Sequence, residues 1–588
     1  MKKTFIAVCL IFLCLPIFAG GKTEFSDLIH PDTVVYTEIT NPEALISQSD
    51  SVFGNLGLLQ IAGIGSFRQE ISKSLKNADL EFVDLSKPIG ICSLGNENPM
   101  DPLSKEKTII VLSVKGKKEF EKLKASLPTD KGLEIKLVDN FAVISDDPQL
   151  IAKLPYKKPM DISALKRRDE NLLSICVNMQ NTINTLNKED IKQLLKTQDG
   201  PSANSADNSD KIIDALFTIR EQSDSLTIYL NLEGPKIAAD LEFEFIDGTK
   251  ADEFILGMKK GKDVIDLYSL VPQNYIGSTV MHLDPESMKE LSSMSTDLYI
   301  EDKFSQADKQ RISQYIEEIS NTLTGDIALA FDMDSSGYMQ FILGMTAGPG
   351  LMSYNNYGGN IMDIMGLEAF GIARSSDPKK ARDIYCDYLK DPVVYKFMAE
   401  MENQGIKYDY DIKRNIKISG IDFDEISYQI DMSESFENDA AGMSSMFSKM
   451  EMKFYLTDYK GMLLMAYGSK ARRDAIDLIK NNGTLKSPLS KSADFIQNLK
   501  EIPADSQFIA NLSISDLLSG MMSSFMGAFG GGTSMAQSGP GIIAYGKLDG
   551  GKAKISFFYD LSEIKEFMTI IGLLMQFGGG MNDGMGGI

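Results

Sequence analysis

Tryptophan is absent from the 588 residues, and histidine occurs only twice, at His30 and His282. Neither has a second histidine at ligand spacing, which excludes the ordinary polyhistidine metal sites. A Ser-His-Asp triad would need one of these two, and no G-x-S-x-G elbow occurs, so ordinary serine hydrolase chemistry is also removed. Cysteine is scarce. Cys9 and Cys14 fall in the leader, leaving Cys92, Cys176 and Cys386, an odd and widely spaced set that excludes a disulfide framework. Positive charge is in deficit, with Lys+Arg 60 against Asp+Glu 82. A net charge of -22 opposes general electrostatic attraction to nucleic acid or to an anionic membrane surface. No long apolar run follows the leader, because residues 568–577 (MTIIGLLMQF) are half the length of a membrane span.

What is present begins with that leader. Met1, Lys2 and Lys3 precede TFIAVCLIFLCLPIFA, and Gly20-Gly21 follows. A charged start, a short apolar stretch and small residues around Ala19 are the marks of a secretory signal peptide over residues 1–19, cleaved near Ala19. The mature chain is expected to be exported, periplasmic or secreted, with no transmembrane helix. Its composition is globular, and its length exceeds what one core normally supports, so two domains or two repeats are expected.

Several features recur in the same order. His30-Pro31-Asp32-Thr33 leads into the alternating strand VVYTEI, then Asn41-Pro42-Glu43-Ala44-Leu45 opens a helix with an Asn cap and an early Pro. Val271-Pro272 leads similarly into YIGSTVMHL and Asp284-Pro285-Glu286-Ser287-Met288, and Pro503 into QFIANLSI and Ser515-Asp516-Leu517-Leu518. A strand before a lysine-bearing helix occurs at residues 108–123 and again at 369–389. A hairpin before a helix occurs at residues 138–154 and 458–479. A last hairpin turns at Leu232-Glu233-Gly234-Pro235-Lys236 and at Leu548-Asp549-Gly550-Gly551-Lys552. The expected fold is α+β: two tandem homologous units, residues 22–268 and 269–588, each an antiparallel sheet with helices inserted between hairpins. The second carries Met- and Gly-rich insertions at residues 347–366 and 433–450, and residues 196–211 read as a polar loop.

The Pro-led strand followed by Asn-Pro-Glu-Ala-Leu, with the strand-to-helix step at residues 143–150, resembles the exported bacterial proteins called domain of unknown function 3352. That resemblance implies an envelope or secreted location and carries no chemistry.

Other patterns fail as catalytic signatures. Ser104 to Lys107 and Ser163 to Lys166 have Ser-x-x-Lys spacing, but no Ser-Asp-Asn or Lys-Thr-Gly accompanies them. Gly63-x-Gly65 is followed by Arg68 where a third glycine belongs. Asp332-Met333-Asp334-Ser335-Ser336-Gly337 begins like a calcium loop, yet Leu343 stands where the closing Glu is required, and the flanks alternate like strands around a turn. Acids cluster at Asp240, Glu242 and Glu244, and at Asp422, Asp424 and Glu425. The first set alternates with Phe243 and Phe245, as on a half-exposed strand.

Methionine is the one enrichment, with 31 residues. Met443, Met446 and Met450 fall on one face if helical, and Met521, Met522 and Met526 lie in a Gly- and Ser-rich stretch. Flexible thioethers suit core packing, an adaptable apolar surface, or Cu(I). No catalytic residue, metal ligand or cofactor is implied. The leading expectation is an exported, non-catalytic binding or scaffold protein of the bacterial envelope that contacts a hydrophobic ligand or an unknown protein partner through these six methionines. The alternatives are a carboxylate-dependent hydrolase using Asp240, Glu242, Asp422 and Asp424, and a Met-based copper-binding envelope protein.

Overall fold

The computed structural model describes residues 25–57, 59, 65–74, 85–96, 106–127, 132–160, 162, 171–183, 213, 217–218, 220–257, 264–289, 304–334, 366–402, 407–431, 449–516, 541–549 and 552–561. The chain divides into two compact units, Met1–Ile255 with Asp549–Ile588, and Leu256–Leu548. Strands and helices alternate along both, and the recorded strand pairings are antiparallel, so the fold is mixed α+β as its turn-rich alternating sequence requires.

In the first unit the strands are β1 (Val35–Ile39), β2 (Ile89–Asn96), β3 (Glu106–Ser113), β4 (Glu134–Val138), β5 (Phe141–Ser145), β6 (Leu173–Asn178), β7 (Ser223–Glu233) and β8 (Lys236–Phe245), with β18 (Lys552–Asp560) from the far end of the chain. They lie in the order β4-β5-β3-β2-β1-β6-β7-β8-β18. Helix α1 (Pro42–Asn55) starts where expected: the Asn41 side chain accepts a hydrogen bond from the Ala44 N–H, and Pro42 sits where a missing N–H costs nothing. Helix α3 (Lys117–Ser126) turns Phe120 and Leu123 onto Ile46, Leu112, Val114, Ala142 and Ile144. A second cluster gathers Leu28, Ile29, Tyr36, Cys92, Ile109 and Val143. Each such fully buried aliphatic side chain contributes about 1.5 to 3 kcal/mol.

The second unit contains β9 (Gly277–His282), β10 (Leu323–Asp332), β11 (Glu368–Ser375), β12 (Lys407–Ile418), β13 (Ile421–Asp431), β14 (Lys449–Tyr459), β15 (Met462–Tyr467), β16 (Phe508–Leu512) and β17 (Ile542–Asp549). Their order is β12-β13-β14-β15-β11-β10-β9-β16-β17. Ser419-Gly420 and Lys460-Gly461, all at positive φ, close the two-residue hairpins β12-β13 and β14-β15, a backbone twist that matches the twist of paired strands. Helix α8 (Pro378–Leu389) repeats the capping device of α1, with Asp377 accepting from the Lys380 N–H and Pro378 in the first turn. It packs Cys386 and Leu389 against Ile426 and Leu456.

The strands of the two units thread alike. β4-β5-β3-β2-β1-β6-β7 and β14-β15-β11-β10-β9-β16-β17 visit equivalent positions in the same chain order, and β12-β13 is an additional hairpin in the second. The expected boundary at 268/269 is not where the compact units divide. The first unit ends at Ile255 and regains the chain from Asp549, because β18 pairs with β8 along its length. Residues 347–365 and 433–448 of the two insertions, and residues 196–211, lie outside the described residues.

Candidate functional site

The acidic candidates do not converge. On β8, Glu244 is 2.6 Å from the Lys552 ammonium, and Lys554 reaches Asp240 at 2.5 Å and Glu242 at 3.9 Å, so these acids form a cross-strand charge ladder with β18. On β13, Asp422 is exposed and paired with Lys417 at 2.8 Å, whereas Asp424 is fully buried. Two residues apart on a regular strand they would share a face. The β12-β13 register shifts between Lys413 and Ile416, and that irregularity accompanies their different environments.

Asp424 is the centre of a buried ionic cluster. Asn415, at φ 56°, donates its backbone N–H to Asp424 Oδ1 at 2.8 Å. Arg414 Nε from β12 and Arg382 Nε from α8 lie 2.9 and 3.2 Å from Asp424 Oδ2, at ion-pair distance without hydrogen-bond alignment. Arg382 also meets Asp458 at 2.9 Å, and Arg414 pairs with Asp383. The Cys386 thiol donates to Asp424 Oδ2 at 3.7 Å, and burial pushes this thiol up to about 11. A buried carboxylate enclosed by two guanidinium groups has no open side for a substrate, so its role is structural. Neither Arg382, carried on the helix, nor Arg414, at a half-buried position of the β12 alternation, is marked out in the sequence, because the acid they meet comes from a different strand.

A cavity of about 550 Å³ lies beside the start of β9, lined by Gln273, Asn274, Tyr275, Asp332, Ser487 and Asp516. Tyr275 donates its hydroxyl to Asp474 Oδ2 at 2.9 Å, and burial raises the Asp474 carboxyl above its usual range. The Lys470 ammonium stands 4.1 Å over the Tyr275 ring and pairs with Asp332. Asp332 thus ends β10 as an ion-pair partner of a helix lysine, while residues 335–337 of the calcium-like sequence lie outside the described residues.

Among the described residues, two exposed large apolar side chains lie two positions apart on β10. Leu329 and Phe331 are 40% and 48% exposed and alternate with buried Ala328 and Ala330. The Phe331 ring covers Gly277 on β9, where any Cβ would collide with it, and Leu329 covers Gly371 on β11. Met281 and Phe508 extend this face across β9 and β16. Met450 is the second residue of β14 and stands opposite Ile430, so the helical face expected for Met443, Met446 and Met450 does not extend to Met450; strand pairing claims it instead. Met443, Met446, Met521, Met522 and Met526 lie outside the described residues.

His282 Nδ1 is 2.7 Å from Asp326, which Arg374 meets at 3.1 Å, and buried His30 stacks edge-on against Tyr156. Cys92, Cys176 and Cys386 are buried free thiols. Among the described residues no cluster of His, Cys, Asp or Glu is arranged to hold a metal ion, and no helix is long and apolar enough to cross a membrane.

Comparison of the chain with protein-family models, with curated proteins and with solved structures finds no match.

Proposed function

We propose that the protein is an exported, non-catalytic binding or scaffold protein of the bacterial envelope, built from two duplicated units and binding a hydrophobic ligand or an apolar partner on the second. The leader at residues 1–19 supports the location. The common threading of the two units' strands, together with the recurring Pro-led strands, supports the duplication. The observation that carries the binding reading is the outward pair Leu329 and Phe331 on β10, two large apolar side chains side by side over glycine. Exposed apolar groups gathered in one patch mark interaction surfaces, where isolated ones do not.

The test is native mass spectrometry of the mature chain purified gently from an envelope fraction, beside a Leu329→Glu/Phe331→Glu variant. Added mass in the first and its loss in a folded variant is the expected result. Equal added mass in both would move binding away from β10, and a bare mass in the parent chain would leave only the apolar-partner form of the reading.

A further inference from the structure

The two units close the same junction differently. In the first, Asn178 at the end of β6 donates its backbone N–H to the Val34 carbonyl at 2.9 Å, and its side chain accepts from the Asn181 N–H at 2.8 Å. The Asn181 side-chain amide in turn donates to the Pro31 and Thr33 carbonyls, at 3.1 and 2.8 Å, and ties the Pro-led segment down. In the second, Ser513 just after β16 donates its backbone N–H to the Ile276 carbonyl at 2.7 Å, and its hydroxyl accepts from the Asp516 N–H at 3.3 Å. By these bonds Val34 is equivalent to Ile276, Thr33 to Tyr275, Pro31 to Gln273, and Asn181 to Asp516.

The exchange of amide for acid leaves the second junction short of a donor. A carboxylate accepts hydrogen bonds where an amide nitrogen gives them. Among the described residues no group donates to the Gln273 or Tyr275 carbonyl. Gln273, Tyr275, Asp332 and Asp516 instead line the cavity of about 550 Å³, whose wall is held by the Gln273 N–H donating to the Ser487 carbonyl at 2.9 Å. The same segment already receives one ammonium group, because Lys470 donates to the Asn274 carbonyl and to Asp332 and stands 4.1 Å over the Tyr275 ring. A place rich in carbonyl and carboxylate acceptors selects a cation that carries several N–H groups.

We propose that this cavity binds a small molecule through a primary ammonium group. That group takes the place of the Asn181 amide of the first unit, donating to Asp516 and to the Gln273 and Tyr275 carbonyls. The inference does not rest on the binding reading at Leu329 and Phe331, neither of which lines the cavity.

Isothermal titration of the full chain with 1,4-diaminobutane, beside 1,4-butanediol as a neutral control of matched length, tests it. At about pH 7 and low salt the diamine should bind saturably at one site and the diol should not. Asp516→Asn, which restores the amide of the first unit, should weaken the diamine about tenfold or more, the loss expected for one charge-assisted hydrogen bond. Ser487→Phe, which fills the cavity and leaves both acids in place, should abolish binding, and it decides the matter if Asp516→Asn does not fold. Leu329→Glu/Phe331→Glu should bind the diamine as the parent chain does, which separates failure here from failure of the reading on β10. Absence of saturable diamine binding, equal binding of the diol, or parental affinity in a folded Asp516→Asn or Ser487→Phe chain would overturn the proposal.

Discussion

The Nε of Arg414 lies 2.9 Å from the carboxylate of Asp424, a residue with no exposure to solvent, and it does so beside the β12 irregularity at Asn415. With Arg382 at 3.2 Å on the same oxygen, one buried acid balances two guanidinium groups. Removing one member of a buried pair leaves the others uncompensated, at a cost of about 3 to 5 kcal/mol. Asp424→Asn should lower the urea midpoint accordingly, while Asp422→Ala, which loses only the exposed contact with Lys417, should cost under about 1 kcal/mol. Equal losses would show that burial of the network is not what matters.

Acid should weaken the first unit through His30. Burial lowers its pKa, with Asp32 opposing and Lys153 assisting. Because the folded state disfavours the imidazolium, the stabilisation is present above the unfolded value of about 6.5 and is lost as pH falls below it. Urea midpoints taken from about pH 8 to about pH 5 should fall less steeply in His30→Gln than in the parent chain.

Gly325 adopts φ +100°, and a Cβ there would lie 2.5 Å from the Leu283 carbonyl oxygen. Gly325→Ala should cost about 1 to 3 kcal/mol through strain and collision together. Gly420 has φ +87° in a hairpin turn with open space around it, so Gly420→Ala should cost less, about 1 to 2 kcal/mol from backbone strain alone. Thermal melting of the two variants separates the contributions, and an equal shift would discount the Leu283 contact.

Cys92, Cys176 and Cys386 should be unreactive until the chain unfolds. Burial pushes the Cys92 thiol up to about 12 and raises Cys176 as well, leaving almost no thiolate near neutrality. Iodoacetamide at about pH 8 should add no mass to the native protein and three adducts after denaturation. Labelling of the native chain at Cys386 would mean that the Asp424 cluster opens.

Much of the architecture was legible because it is written locally. Asn41-Pro42 and Asp377-Pro378 start helices by satisfying the first free N–H groups with the neighbouring side chain, and alternating runs such as VVYTEI become strands in both units. The methionine reading did not carry through at Met450, since helical and strand periodicities both accommodate a short Met-rich run and pairing with β13 decided between them.

The sequence by itself determined the α+β class, the hairpins closed by residues that tolerate positive φ, and the absence of a histidine-rich site, all of which depend on composition or on neighbours within a few positions. Only the tertiary structure decided that Lys554 meets Asp240, that Asp424 is enclosed by Arg382 and Arg414 while Asp422 faces water, and that β18 completes the first unit's sheet. Those outcomes rest on strand register and on chain segments far apart in sequence, and a single chain's local periodicity does not encode which distant edge a strand will pair with.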